Sequence, residues 1–415
     1  MNIFQITKKY LEVVQYLLIL AIALILPYWS LYPILGVLVL PLFITTLLLG
    51  QINIKKLFFN KVFVTLSLFI LFTYISVLWS QVNTDNNMEY ELNILRFKYY
   101  FLLIPSIYFA SLNIQQIKII LLTSAIAPIG ISLLYYSNAL GLTNIYSFMT
   151  GGESHFFMHY LICNFFLLFS SLYFSLLTIN SFIKKEYKYS LLYFLATLFF
   201  TVSMVIDPLT TARLTTIVYL IVLLLIPLLY LKKSIALVII IILLLLSSIF
   251  ITNNKNIMHG YSTAKLAITN DVYTSSWGHR LGFAIVGLRI FKEHPIIGRG
   301  ITDVRRRTIK FAKNNPKYFI HDKNRHFHNE HINILVEVGI VGYLLFLLSI
   351  LFLIKTNINN TFFNNIKYIF IFAFILMMLG EHYLSILNTS FYFSFFIGII
   401  LLYKRQEDIS TKTYT

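Results

Sequence analysis

Apolar stretches of about 20 residues recur along almost the whole chain, and no other feature constrains its fold as strongly. A helix of about 20 apolar residues spans the hydrocarbon core of a bilayer, where helices and closed barrels alone satisfy their backbone hydrogen bonds. With 58% hydrophobic residues, the chain is more apolar than soluble domains are. We therefore predict an all-α, polytopic membrane protein of about 12 transmembrane helices, forming a single integral-membrane domain over residues 1–415.

One long polar segment interrupts the apolar pattern at about residues 253–331, between predicted helices 9 and 10. The short lysine-rich loops fall on one side of the twelve-helix topology, together with both termini. Positive charge in short loops marks the cytoplasmic side, whereas long loops escape this rule. The termini are therefore predicted to be cytoplasmic, and the long loop periplasmic, with amphipathic helices and part of the active site. The pattern also predicts spans at about 96–112, 332–354, 367–384 and 385–403.

Arginine and lysine are distributed differently across this predicted topology. Nine of the ten arginines lie outside, whereas 15 of the 23 lysines lie inside. A topology signal alone would place both types alike, and arginine is the better bidentate ligand for phosphate. This favours an outward-facing site for a phosphorylated lipid. The alternative is a basic loop that rests on anionic headgroups.

Three arginines stand where such a phosphate would bind. Arg213 follows Thr210-Thr211-Ala212 at the outer end of a predicted span, and Arg96 lies at a similar depth. Arg280 precedes an amphipathic stretch, 283–292, that ends in the glycine-rich turn 294–300; this turn lacks the lysine and hydroxyl of a Walker loop. In the alternative interpretation these arginines only reach toward water from helix ends.

The motif His326-Phe327-His328-Asn329-Glu330-His331 immediately precedes the predicted span at 332–354. An imidazole beside arginines suits metal-free transfer, because histidine accepts a proton from an attacking hydroxyl near neutral pH. The three histidines are also a possible zinc site, but no Asp-x-Asp pair occurs to hold a magnesium-bound diphosphate. We therefore predict no metal and no cofactor. A third interpretation is that these residues merely line a wet helix end.

These residues together resemble a known family. His328-Asn329, followed by Gly339 and Gly342-Tyr343, is similar to the signature of the O-antigen ligase/polymerase superfamily of bacterial envelopes. The Thr-x-x-Arg213 turn, Arg280-Leu281 with Pro295-x-x-Gly298-x-Gly300, and the layout of twelve spans with one long periplasmic loop resemble that superfamily too. The motifs lie between about residues 207 and 343. The form of the 326–330 segment resembles the ligase branch.

The resemblance implies an inner-membrane glycosyltransferase that acts in the periplasmic leaflet without metal and with inversion. Its partners would be an undecaprenyl-diphosphate-linked O-polysaccharide as donor, lipid A–core as acceptor and membrane lipids, with no nucleic acid. His328 matches the essential histidine, Arg213 and Arg280 match the essential arginines, and Arg96 matches more loosely. The predicted site contains a catalytic His328 and, as contacts to the diphosphate or acceptor, Arg213, Arg280, Arg96, His326, Asn329 and Glu330.

Three alternatives remain open at this point. An O-antigen polymerase would join two undecaprenyl-linked glycans. A protein-directed oligosaccharyltransferase is disfavoured by the length of the chain and by the lack of a second large soluble segment. A lipid or glycan transporter is disfavoured because transporters place polar residues near mid-membrane, whereas here they collect at the outer edge.

Overall fold

The structure is a computed structural model, and it describes residues 3–28, 31–80, 97, 99–143, 160–206, 212–301, 303–318 and 327–413. All regular secondary structure in these ranges is helical, as predicted. The helices in the first half of the described chain are α1 Ile3–Ile25, α2 Tyr32–Leu48, α3 Ile54–Phe59, α4 Lys61–Ile75, α5 Tyr100–Tyr108, α6 Ile114–Ile126, α7 Ile129–Ala139, α8 Tyr160–Ile183 and α9 Tyr187–Val205. Those in the second half are α10 Arg213–Tyr230, α11 Lys233–Asn253, α12 Lys255–Asn270, α13 Ser276–Glu293, α14 Val304–Asn314, α15 Glu330–Lys355, α16 Thr361–Met377 and α17 Leu387–Thr413.

Eight helical segments of the described chain are long and apolar enough to cross a membrane. The protein is therefore a polytopic helical membrane protein, while the number twelve stays a prediction. Several predicted boundaries are wrong, including the start at residue 367, since that helix begins at Thr361. The span expected over 367–384 is α16, which ends at Met377, and the next helix begins only at Leu387. The residues between them form a turn, which we call the 378–386 turn.

Asparagine side chains begin many of these helices. The first N–H groups of a helix have no partner within it, and a side-chain oxygen at the N-cap accepts from one of them. Residue Asn329 does this for α15, where its Oδ1 accepts from the N–H of Ile332 at 3.1 Å. The other helices capped by asparagine in this way are α3, α4, α6, α12 and α16. Short polar residues between apolar runs therefore fix where the helices start.

The long segment between α11 and α15 folds onto the helix bundle instead of lying apart from it. The sequence identifies 283–292 as amphipathic, a pattern that would also suit a helix lying at the membrane interface. In α13, however, the apolar face formed by Phe283, Val286 and Ile290 is buried in a second hydrophobic core, which includes Phe327 and Val336. The apolar face thus packs on the protein around the start of α15, because that surface is as apolar as lipid and offers fixed partners.

The glycine-rich turn after α13 inserts into a break in α15. Gly339 has φ of 65°, which interrupts the helix. The carbonyls of Val336 and Glu337 accept from the N–H groups of Arg299 and Gly300, both at 2.8 Å. In return, the N–H groups of residues 340 and 341 donate to the carbonyls of residues 295 and 296. The turn therefore restores the hydrogen bonds lost in the break, as a membrane helix requires.

Glycine is needed on both sides of this contact. A Cβ at Gly339 would lie 2.3 Å from the carbonyl oxygen of Ile296, and one at Gly298 would lie 2.5 Å from the backbone of Glu337. Glycines spaced like Gly339 and Gly342 often admit a neighbouring helix, but Gly339 admits the turn instead. A Cβ at Gly342 would lie 2.2 Å from Cγ2 of Val338 in α15 itself and 3.4 Å from Phe72 of α4, so this glycine also faces a helix. The inserted turn fixes α13 against α15.

Candidate active site

His328 lies just before the N-terminus of α15, and its side chain is partly exposed. His328 has φ of 49°, a left-handed conformation that turns the chain just before the cap at Asn329. Its side chain is 30% exposed, so a substrate can reach the ring. Nδ1 of His328 lies 3.0 Å from Oε2 and 3.1 Å from Oε1 of Glu381, 53 residues further along the chain.

Glu381 lies in the 378–386 turn, between two histidine rings. Its side chain is only 2% exposed, and it contacts Nδ1 of His382 as well as Nδ1 of His328. Burial raises the pKa of the Glu381 carboxyl, but the hydrogen bonds and charges of the two histidines outweigh burial and hold this pKa well below its ordinary value. The carboxylate therefore stays ionised at neutral pH. An ionised carboxylate only accepts hydrogen bonds, so Nδ1 of His328 carries a proton, and in the neutral form of the ring Nε2 carries the lone pair.

The motif residues Asn329 and Glu330 tie the start of α15 to the same turn. Nδ2 of Asn329 donates to the carbonyl of Leu379 at 3.0 Å. The buried carboxylate of Glu330 accepts from the N–H of Leu384 at 3.0 Å and from the hydroxyl of Ser385 at 3.1 Å. These contacts hold the turn that carries Glu381 against the segment that carries His328. The prediction that the two residues contact substrate stays a prediction.

Arg280 and Arg213 approach this turn from two further helices. Nε of Arg280, on α13, donates to the carbonyl of Gly380 at 3.2 Å, one residue before Glu381. Arg213 is the first residue of α10, and its neighbour Leu214 packs so closely on Gly380 that a Cβ there would lie 2.5 Å from Leu214 Cδ2. Both arginines are partly buried. The structure therefore brings their two helices together beside Glu381.

A second close approach, at Gly260, brings Arg213 near α13, the helix that carries Arg280. A Cβ at Gly260, on α12, would lie 3.3 Å from Cδ of Arg213 and 2.7 Å from Nε1 of Trp277. Trp277 lies on α13, one helical turn before Arg280. The next turn of α13 carries Phe283, whose ring centroid is 5.6 Å from that of His328. Positions three residues apart share a helix face, so α13 directs Trp277, Arg280 and Phe283 toward one region.

The remaining predicted residues are placed elsewhere or lie outside the described ranges. Arg96 and His326 belong to segments that the structure does not describe, so their roles stay predictions. The ring of His331 contacts the hydroxyl of Tyr343 at 3.1 Å and the carbonyl of Ile375 at 3.2 Å. Both ring nitrogens of His331 thus have protein partners away from Glu381, and the sequence spacing of the histidines does not describe a shared set of zinc ligands.

Glu381 and His382 were missed by the sequence analysis because it placed them inside a membrane span. An ionisable pair within an apolar run was the available signal, since such groups are costly in a membrane unless they serve a function. Ligand atoms of His328, Glu381 and His382 lie within 4.8 Å of one another. Nitrogen and oxygen donors at this separation could also hold zinc, whereas the hydrogen bonds among them account for the cluster without an ion.

The fold and this cluster define a polytopic membrane protein with a histidine, a carboxylate and arginines gathered at one end of its helices. Residues 195–347 match the family model described as O-antigen ligase. This match supports the O-antigen ligase family and indicates a membrane glycosyltransferase-like enzyme. The match contains Arg213, Arg280 and His328 but ends before Glu381. The comparison with curated proteins gives no match.

Proposed function

We propose that the protein is an O-antigen ligase that transfers O-polysaccharide from undecaprenyl diphosphate to lipid A–core, in the periplasmic leaflet of the bacterial inner membrane. The observation that carries the proposal is the hydrogen-bonded pair of His328 and Glu381, with Arg280 bonded to the residue before Glu381. This arrangement supplies a base for an acceptor hydroxyl and a cation for a departing diphosphate. The family match supports the same class of reaction.

In the proposed reaction, Nε2 of His328 accepts the proton of an acceptor-sugar hydroxyl. The hydroxyl oxygen then attacks the anomeric carbon of the donor sugar, and the bond from that carbon to the diphosphate oxygen breaks. The bonding electrons leave with undecaprenyl diphosphate, and Arg213 and Arg280 stabilise the charge that develops on it. Attack opposite the leaving group inverts the anomeric centre. Arg96 and His326 are proposed as further substrate contacts.

Glu381 acts in this proposal as a positioning residue. Its carboxylate holds the ring of His328 and fixes the tautomer in which Nε2 is the acceptor, as carboxylates do for other functional histidines. Asn329 and Glu330 support it by fastening the 378–386 turn to the start of α15. The turn inserted at Gly339 fixes α13 and hence Arg280. Segments distant in sequence thus meet through hydrogen bonds that side chains make to one another and to the backbone.

The ligase and polymerase assignments are separated by the lipopolysaccharide gel profile of a deletion strain. Loss of the whole O-antigen ladder, with accumulation of long lipid-linked chains, is expected for a ligase. A core that carries a single O-unit would instead identify a polymerase, which is the alternative within this family. Complementation by the wild-type gene must restore the ladder for either result to count.

Replacing Glu381 by glutamine is expected to lower kcat roughly 10- to 100-fold, the range found when a partner that orients a functional histidine is lost. The amide side chain can donate to Nδ1 and so favours the wrong tautomer, while donor affinity should change little. Initial rates measured over a range of donor concentrations separate kcat from KM. Glu381→Asp should recover part of the loss. A rise in KM at unchanged kcat would contradict the positioning role.

Activity of the purified protein on lipid-linked donor is expected to survive excess EDTA, because arginines supply the positive charge that a metal ion would otherwise provide. Enzyme and acceptor should be in detergent, since chelators also disturb lipopolysaccharide packing. Loss of activity that zinc restores would identify His328, Glu381 and His382 as a metal site. Restoration by magnesium would require a carboxylate site elsewhere.

A further inference from the structure

A basic cavity lies at the end of the helix bundle opposite His328. It has a volume of about 600 Å³, and an adjoining lobe of about 500 Å³ shares Lys56 and Arg405 with it. Lys355, on its wall, ends α15, whose first residue is two positions after His328. The 26 residues of α15, counted across the break at Gly339, rise roughly 39 Å, which exceeds the hydrocarbon thickness of about 30 Å. The cavity and the candidate active site therefore lie at opposite membrane faces.

The lining of the cavity carries a clear excess of positive charge. Its basic members are Lys56, Lys61, Lys355, Lys404 and Arg405, and its one carboxylate is Asp408, 2.8 Å from Lys404. The side chains of Lys56, Lys61 and Lys355 are exposed. Across the described part of the chain, none of these three forms an ion pair with a carboxylate. The cavity therefore offers at least three uncompensated ammonium groups to an anion.

Arg405 adds a fixed cation at the back of the cavity. Its guanidinium donates to the carbonyls of Tyr108 at 2.6 Å and Ala110 at 3.0 Å, at the end of α5. These acceptors are neutral, so they orient the group without cancelling its charge. Nε of Arg405 is buried and has no hydrogen-bond partner among the described residues. A polar group buried in this way is costly unless something accepts from it.

Apolar side chains at the mouth of the cavity indicate that the anion is part of a lipid. The short helix α3 carries Lys55 and Lys56 together with Ile54, Phe58 and Phe59, of which Phe58 is 71% and Phe59 is 85% exposed. Phe59 also lines the cavity, as does Phe352 of α15. Aromatic and basic side chains at one level are typical of headgroup depth. A free phosphate has no apolar surface to bury against this wall, whereas the acyl chains of a lipid do.

We propose that this cavity binds the phosphodiester headgroup of an anionic phospholipid, at the membrane face opposite the candidate active site. Basic pockets between transmembrane helices bind such headgroups, and the volume falls within the range of small-ligand sites, about 300–1,000 Å³. The lysines neutralise the phosphate, while the acyl chains lie along Phe59 and Phe352. The proposal does not depend on the transfer reaction.

The test is the affinity of the full-length protein, purified in detergent, for short-chain phosphatidylglycerol. Kd is measured by microscale thermophoresis for the wild type and for Lys56→Gln/Lys355→Gln. We expect the double variant to bind at least roughly tenfold more weakly, because each lysine near an anionic headgroup contributes measurably. The matched control is Lys184→Gln/Lys188→Gln, which removes two exposed lysines outside the cavity. Its Kd should stay within about twofold of the wild type.

Four results would overturn the proposal. The first two are equal Kd values for the wild type and the cavity variant, and equal weakening of binding in the control variant. The other two are equally tight binding of short-chain phosphatidylcholine, and displacement of the lipid by inorganic phosphate at an equal concentration. Circular dichroism and gel filtration verify folding. Should the first variant fail to fold, Lys61→Gln/Lys355→Gln replaces it with the same expected shift. Binding is the readout, so the result stands whichever transfer activity the protein has.

Discussion

Replacing His328 by alanine is expected to lower the rate of glycan transfer about 10²–10⁴-fold, which is the usual contribution of a positioned general base. Without the imidazole, nothing accepts the proton of the acceptor hydroxyl as it attacks. Donor binding should change little, because in the proposed site the diphosphate is held by arginines. Transfer is measured with purified enzyme, lipid-linked donor and acceptor in detergent, and donor binding is measured separately at equilibrium.

The control for this substitution is His294→Ala, which removes an exposed imidazole from the end of α13, away from Glu381. This variant should retain near-normal transfer. Near-normal turnover by a folded, membrane-inserted His328→Ala protein would remove His328 from the mechanism. A parallel loss of donor binding would instead assign the ring to substrate recognition.

Arg213 and Arg280 are expected to act on the same diphosphate, and a double-mutant cycle tests this. Each single change to alanine should lower transfer on the order of 10²–10³-fold, the effect of removing one donor from developing charge. The double variant should lose clearly less than the product of the two losses, because groups that serve one ligand are coupled. Lysine should restore neither fully, since it lacks the bidentate fork of arginine.

The control for the arginine cycle is Arg289→Lys. Arg289 lies on α13 like Arg280, but its guanidinium lies 5.7 Å from the ring centroid of Phe311 and 5.8 Å from that of Tyr318, away from the 378–386 turn. The Arg289→Lys substitution should leave the rate of transfer nearly unchanged. If the free-energy effects of the Arg213 and Arg280 substitutions are strictly additive, the two side chains act on different groups. The prediction that they share one diphosphate would then be wrong.

The composition of the 378–386 turn explains why only part of the site could be predicted from the sequence. The family motif identifies His328 from neighbouring residues, and its position before α15 follows from the apolar run that starts at Ile332. Glu381 and His382 have no such local signature. In sequence they continue the apolar stretch of α16, and hydropathy averaged over a window hides two polar residues within it. The contact between Glu381 and His328 can be identified only once the structure places α15 next to α16.

The sequence by itself determined the class of protein and its helical character, because membrane spans are set by the length of apolar runs. Caps such as Asn329 likewise depend on single residues. The tertiary structure alone decided that Gly298 and Gly339 meet in a broken helix, and that Arg280 bonds to the carbonyl before Glu381. The reason is physical: caps and spans depend on residues within one or two helical turns. The site depends on hydrogen bonds between segments 50 to 100 residues apart, which no local pattern encodes.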